Sequence, residues 1–242
     1  MREVYVTETA ARQHPQLIAS AQASAARVVV MSESVARAMS QTENPQGLIA
    51  VCALHAQPWS SEVAAELFTP QKLDVAGEAG LRTVVVLDRI SDPGNAGTII
   101  RSADAAGAVA VVFSSGSVDP HNGKCVRATA GSLFHLRVLT DASITDVLAL
   151  AREHGAHCLA ADGRAEMSLD DPTVRQMMTG LLVWVFGSEA HGVSEEVRAA
   201  VDVSVSIPIL GRAESLNLAA AAAVCLYAPL LMPPPAPHDP TY

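Results

Sequence analysis

The stretch Val203–Ala228 reads VSVSIPILGRAESLNLAAAAAVCLYA. Val203, Val205 and Ile207 alternate with Ser204 and Ser206, the period of two that marks a half-buried strand, and Pro208 ends the ladder by removing a donor. A polar turn, Gly211 to Asn217, leads into an alanine-rich run that reads as a helix from Ser215 to Ala228, stopped by Pro229. A strand, a glycine-containing loop and a helix start together present unpaired backbone N–H groups to a ligand. Taken alone, the same order is also an ordinary strand-to-helix connection with a Ser or Asn cap.

Outward from this stretch the chain alternates regularly. Thr83–Leu87, Val109–Phe113, Leu136–Leu139, His157–Ala161, Leu181–Phe186 and Val203–Pro208 read as strands; Ala96–Ala106, His121–Ala130, Ile144–His154, Val193–Ala200 and Ser215–Ala228 read as helices. That order predicts an α/β fold with a parallel sheet covered on both faces over residues 82–230. Before it, residues 1–56 read as a small α/β unit. Its strands are Val4–Val6, Arg27–Met31 and Leu48–Leu54, with helix and loop over Thr7–Ala25 and a short helix Val35–Ser40 capped by Ser32 or Ser34. Residues 57–81 read as a linker carrying one helical stretch, Ser61–Phe68, and the proline-rich residues 231–242 as a disordered tail.

The 242 residues are half apolar, enough for one large or two modest domains with a real core. A net charge of −9 gives no global attraction to a polyanion, so any nucleic-acid contact must be local. Arg89, Arg101, Lys124, Arg127, Arg137 and Arg212 all fall in or near the loops considered below. The four cysteines form no CxxC pair, which argues against a zinc site or a disulfide framework and for a reducing cytosol. No signal peptide is evident, and the longest apolar run, Leu216–Met232, is interrupted by Asn217 and Pro229.

Three loops carry residues suited to chemistry. The first, Asp88–Arg101 (DRISDPGNAGTIIR), is a glycine-containing turn between strand and helix, but it holds neither GxGxxG nor GxxxxGK[ST], which excludes the dinucleotide-loop reading. Asn95 sits at the expected helix start and Arg101 nearly two turns on, so both are placed on one side; the plainer readings are an N-cap and a solvated helix face. The second, Val185–Val193 (VFGSEAHGV), follows an apolar strand at the sheet edge where open α/β sheets bind ligands. Gly187 and Gly192 permit close backbone approach, while Glu189 and His191 form either an acid/base pair or two surface residues. In the third, Asp119–Arg127 (DPHNGKCVR), Asp119 caps, and Lys124 and Arg127 lie one turn apart as phosphate contacts. His154 and His157 lack carboxylate companions, so no metal site is expected there.

In order, DRISDPGNAGTIIRSADAAGA, FGSEAHGVS and IPILGRAESLNLAAAAAVCLY resemble the three signature motifs of the SpoU-type (TrmH-like) RNA ribose 2′-O-methyltransferases, and KCVRATAGSLFHL resembles the segment between the first two. The resemblance covers Arg82 to Leu230. It implies a C-terminal trefoil knot (a SPOUT-like domain) holding S-adenosyl-L-methionine, a cytoplasmic homodimer, and no metal. Gly187, Ile207 and Leu216 match the family's cofactor-contacting positions, with Ser215, Phe186 and Leu218 beside them. Asn95, Arg101, Glu189 and Asn217 match its catalytic or site-shaping polar residues, and Arg89, Lys124 and Arg127 are the expected RNA contacts.

One departure is Ala219, where the family often carries a hydroxyl residue. The N-terminal unit resembles the small RNA-binding domain, related to a ribosomal protein, that many of these enzymes carry. It begins without the expected first helix and strand, as from a misplaced start codon or a truncation. That unit favours ribosomal RNA over tRNA. The implied reaction is in-line transfer of a methyl group to a ribose 2′-oxygen, with Arg101 either a transient base or, as guanidinium chemistry favours, the group that holds the adjacent phosphate and orients the hydroxyl. The rival is a non-catalytic RNA-binding protein that keeps the knot as a scaffold; its mark would be loss of Asn95, Arg101 or Glu189, and all three are present. A second rival is methylation of a small molecule or a protein.

Overall fold

A computed structural model describes residues 1–40, 42–69 and 81–232. The chain divides into two compact units, residues 1–54 and 55–242. In the smaller unit, β1 (Glu3–Thr7) is followed by helices α1 (Glu8–Gln13) and α2 (Pro15–Ala23), β2 (Arg27–Met31), α3 (Glu33–Met39) and β3 (Leu48–Val51). β1 is central, parallel to β2 and antiparallel to β3. The helical stretch expected over Thr7–Ala25 is two helices, because Pro15 lacks the N–H needed to continue α1 and opens α2 instead. Ser32, not Ser34, caps α3.

In the larger unit the order is β4 (Gln57–Pro58), α4 (Ser61–Phe68), β5 (Arg82–Leu87), α5 (Pro93–Ala105), β6 (Ala110–Ser114), α6 (Gly123–Thr129), a 3-10 turn at Ser132–Phe134, β7 (Arg137–Ala142), α7 (Ile144–Glu153), β8 (His157–Ala161), β9 (Met167–Ser168), α8 (Pro172–Met177), β10 (Leu181–Phe186), α9 (Glu195–Ala200), β11 (Val203–Ser206) and α10 (Leu218–Leu231). The strands form one sheet in the order β4-β7-β6-β5-β10-β8-β11-β9, every pairing parallel. Residues 57–69, read from composition as the first half of a linker, belong to this unit: they supply an edge strand, and the helical stretch expected at Ser61–Phe68 is α4. Apolar Leu67 and Phe68 bury into its core, and Gln57 and Pro58 pair with Leu139 and Thr140. The rest of that stretch, 70–80, and residues 233–242 of the proline-rich tail lie outside the described residues.

β10 is wholly apolar, and β5 is apolar from Val84 to Leu87, because both faces are covered there. The period of two divides them. Val85, Leu87, Trp184 and Phe186 join Ile99 and Ile100 of α5 and Ala222, Cys225 and Leu226 of α10 on one face. Val84, Val86, Val183 and Val185 join α4, α7 and α9 on the other. β10 lies between β5 and β8, and β11 between β8 and β9, so each late strand enters beside strands formed earlier in the chain.

Several helix starts differ from the sequence reading. α5 begins at Pro93 with Asp92 as its cap, so Asn95 is inside the first turn. α6 is capped by Asn122 rather than Asp119, α9 by Ser194, and α10 by Asn217. α10 also runs through Pro229 to Leu231, since a proline this near the C-terminal end removes only one backbone bond. β11 ends at Ser206, two residues short of Pro208, and β9 with α8 fall in the interval 162–180, to which the sequence reading assigned no element. No helix among the described residues is long and apolar enough to cross a membrane.

Candidate active site

The parallel sheet brings the C-terminal ends of β5, β10, β8 and β11 side by side, so the loops that follow them share one edge. There the segments following β8, β10 and β11 enclose a cleft of about 430 Å³. Val205, Ile207, Leu218 and Ala221 give it apolar walls, Gly163, Gly187 and Gly192 give it bare backbone, and Asp162, Glu189, Glu214 and Asn217 line it with polar groups.

Gly187 is buried where two backbone segments cross: a Cβ there would stand 2.1 Å from the carbonyl carbon of Gly192. The intervening turn is tight. Gly192 donates from its N–H to the Ser188 carbonyl at 2.7 Å and adopts a left-handed φ of 67°, which glycine tolerates without strain. Glu189 stands on that turn and is exposed; His191 is exposed beside it.

Side chains that follow β5, β10 and β11 then form one hydrogen-bonded chain. Asn217 Oδ1 accepts from the N–H groups of Ala219 (2.9 Å) and Ala220 (3.3 Å), and so caps α10. Its Nδ2 donates to Asn95 Oδ1 at 3.1 Å, and Asn95 Nδ2 donates to Glu189 Oε1 at 2.8 Å. The donor direction is the same throughout, from the α10 N-terminus to the carboxylate. The Ala219 N–H is therefore satisfied, and the missing hydroxyl at that position leaves no orphan there.

Arg101 is not part of this chain. Six residues at 100° each place it about 120° around α5 from Asn95, and it is exposed on the helix. The expectation that both face one side is thus corrected by the helical period itself. Phe186 is corrected too: its ring is fully buried, stacked on Trp184 with centroids 6.0 Å apart, and does not line the cleft. Ser215 and Leu216 do line it, with Ile207 and Leu218.

The expected RNA contacts are spread along the same side of the sequence but not equally available. Arg89, held at a left-handed φ of 52°, places Nε 3.2 Å from Asp88 Oδ1. Buried Asp88 also accepts from the Ser194 N–H at 3.3 Å, tying the turn after β5 to the loop after β10. Arg127 is exposed on α6. Lys124 Nζ donates to Asp92 Oδ2 at 2.7 Å, and this bond is the main reason the Asp92 carboxyl sits below its usual range.

Sequence reasoning missed Asp162, Gly163, Glu214 and Asp88. Asp162 follows β8 in an Ala-Ala-Asp-Gly turn and pairs with Arg198 at 2.6 Å. The turn after a strand was visible as a signal, but only the strand order puts β8 beside β10 and β11.

Residues 82–227 match the model of the SpoU rRNA Methylase family, and residues 1–58 match that of the RNA 2′-O ribose methyltransferase substrate binding domain. A Bacillus subtilis protein named 23S rRNA (guanosine(2553)-2′-O)-methyltransferase RlmP is 33% identical over 198 residues, 82% of this chain and 70% of that protein. The Bordetella pertussis protein named 23S rRNA (guanosine-2′-O-)-methyltransferase RlmB is 32% identical over 148 residues, and the match spans 59% of its length. Among solved structures, an AdoMet-bound rRNA methyltransferase from Sinorhizobium meliloti superposes with a TM-score of 0.76 at 28% identity, covering 96% of this chain and 80% of that one.

Proposed function

Because the chain belongs to the SpoU rRNA methylase family, we propose that it transfers a methyl group from S-adenosyl-L-methionine to the 2′-hydroxyl of a ribose in ribosomal RNA. The observation that carries this reading is the Asn217–Asn95–Glu189 chain at the mouth of the cleft, which ties together polar side chains from the segments that follow β11, β5 and β10.

The cleft fits the cofactor by its own chemistry. Apolar walls at Ile207, Leu216 and Leu218 suit an adenine ring, and the open backbone at Gly163 admits a ligand edge to hydrogen-bonding distance. When bound, S-adenosyl-L-methionine supplies an electrophilic methyl carbon. Gly187, Ile207, Ser215, Leu216 and Leu218 hold it, and Asn95, Glu189 and Asn217 keep the mouth of the cleft in one arrangement. Positioning of this kind contributes about 7–11 kcal/mol in favourable cases. Arg101 holds the RNA phosphate beside the target ribose and orients the hydroxyl, since a guanidinium is a strong phosphate ligand and a poor base. Arg89 and Arg127 extend that contact.

Three finer features belong to the same reading. A trefoil knot is supported by the insertion of β10 and β11 between earlier strands, followed by the 207–217 loop and α10. A homodimer is supported by apolar groups on and before α10 that stand exposed among the described residues, including Leu210 (98% exposed), Val224 and Leu231. Dimerisation would also let Arg101, displaced from its own subunit's relay, serve the partner's cleft. A cytoplasmic location follows from the substrate. The small unit binds RNA.

The test is incubation with tritiated S-adenosyl-L-methionine and total RNA, followed by mapping of label in alkali-resistant dinucleotides from 23S RNA. Label in protein or small molecules but not RNA would overturn the reading. Arg101→Ala and Arg101→Lys should lose transfer while binding cofactor normally by calorimetry; full turnover in either would remove Arg101 from the mechanism.

A further inference from the structure

Spacing alone makes Lys124 a phosphate contact, one turn from Arg127; its surroundings give it a different task. Its ammonium is 2.7 Å from Asp92 Oδ2, and the other oxygen of that carboxylate accepts the Asn95 N–H at 2.7 Å. Asp92 is thus held between a helix start and a cation. The Lys124 stem lies over Gly94, where an added Cβ would stand 3.1 Å from its Cε, so the glycine leaves the passage through which the side chain reaches Asp92. At its base the Lys124 N–H donates to Asn122 Oδ1 at 2.9 Å, which fixes α6 at the same point. One turn further, Gly97 lets α5 rest directly on the Cys125 carbonyl.

We propose that Lys124 is a positioning residue: through Asp92 it fixes the first turn of α5 and so aims Asn95 at Glu189 and Asn217. This rests on the methyl-transfer reading for its activity assay, though not for its geometry. Exposed ion pairs add little to stability, so the effect of this pair lies in direction. Asn95 must place both ends of its amide, one on Glu189 and one on Asn217, and a small rotation of the first turn breaks one of them. A phosphate that drew Lys124 away from Asp92 would loosen the relay at the moment RNA binds. The depressed Asp92 carboxyl is consistent with a standing pair.

The test compares Lys124→Met, which keeps the stem over Gly94, with Asp92→Asn, the double variant and Lys124→Arg. Positioning predicts that Lys124→Met lowers kcat about tenfold with KM for RNA unchanged, that Asp92→Asn does the same, that the double variant loses no more than either, and that Lys124→Arg recovers most of the rate. RNA affinity is measured against salt in parallel. A direct phosphate contact would reduce the slope of log K against log salt by about 0.9 in Lys124→Met; that reduction, or additive losses in the double variant, would overturn the proposal. If the wild-type chain methylates no RNA, the proposed function fails, while the salt slope still decides Lys124: unchanged upholds positioning, reduced overturns it.

Discussion

A Cβ on Gly187 would stand 2.1 Å from the carbonyl carbon of Gly192 and 2.3 Å from the nitrogen of Val193. Both are backbone atoms, so nothing can swing aside, and Gly187→Ala must push the 188–192 turn off the end of β5 and β10. That turn is one wall of the cleft. The expected outcome is a loss of at least tenfold in S-adenosyl-L-methionine affinity, about 1.4 kcal/mol, with an unchanged far-ultraviolet circular dichroism spectrum; calorimetry measures it. Asn217 separates two tasks that one residue performs. Asn217→Ala removes the cap of α10 and should lower stability by about 0.5–2 kcal/mol together with activity. Asn217→Asp keeps the cap, and a carboxylate at a helix N-terminus is favourable, but it has no donor for Asn95 Oδ1. Thermal melting should show the aspartate variant as stable as wild type, while methyl transfer falls at least tenfold.

At the scale of elements, the α5–α6 contact depends on Gly97, where a Cβ would meet the Cys125 carbonyl oxygen at 2.4 Å and the Ala128 methyl at 2.7 Å. Gly97→Val forces the helices apart and should destabilise by about 1–3 kcal/mol, read as a fall in the urea midpoint. Strands β5 and β10 were legible because VVVL and LLVWVF are unbroken apolar runs, and a run buried on both faces needs no knowledge of its neighbours. Helix starts were less so. Asp92, Asn95, Asp119, Asn122, Ser215 and Asn217 are all competent caps, and which one serves depends on a side chain's rotamer and its competing partners. Asn95 is engaged by Glu189 and Asn217, which leaves the cap to Asp92. The site was legible only where a motif stands within one loop. Asp162 and Asp88 were not, since their importance comes from β8 lying beside β10 and from Ser194 meeting the end of β5. Lys124 was legible as a cation one turn from Arg127, but its bond to Asp92 was not, because a partner 32 residues away leaves no trace in local spacing.

The whole larger unit can be interrogated through its thiols. Cys125 on α6, Cys158 on β8 and Cys225 on α10 are buried, whereas Cys52 in the smaller unit is exposed. Burial pushes the Cys125 thiol up to about 11 and those of Cys158 and Cys225 to about 12. Since only the thiolate reacts, a disulfide reagent at pH 8 should titrate Cys52 rapidly in the folded protein, and the other three only as the larger unit opens. Fast reaction of more than one thiol would show that the larger unit opens readily. The same shifts give a sign for alkaline stability. Unfolded thiols lose their protons near the ordinary value of 9.0, while the folded ones keep theirs. Above pH 9 the unfolded chain therefore binds fewer protons than the folded one, and stability falls with rising pH by up to about 1.4 kcal/mol per unit for each buried thiol. Below pH 9 these groups contribute no slope. Cys225→Ala leaves a cavity and lowers the whole curve, but it should also flatten the descent between pH 9 and 11, because one titrating group is gone from the unfolded state. Melting temperatures of the two proteins across that range measure the difference in slope independently of the offset, and parallel curves would remove Cys225 from the alkaline transition.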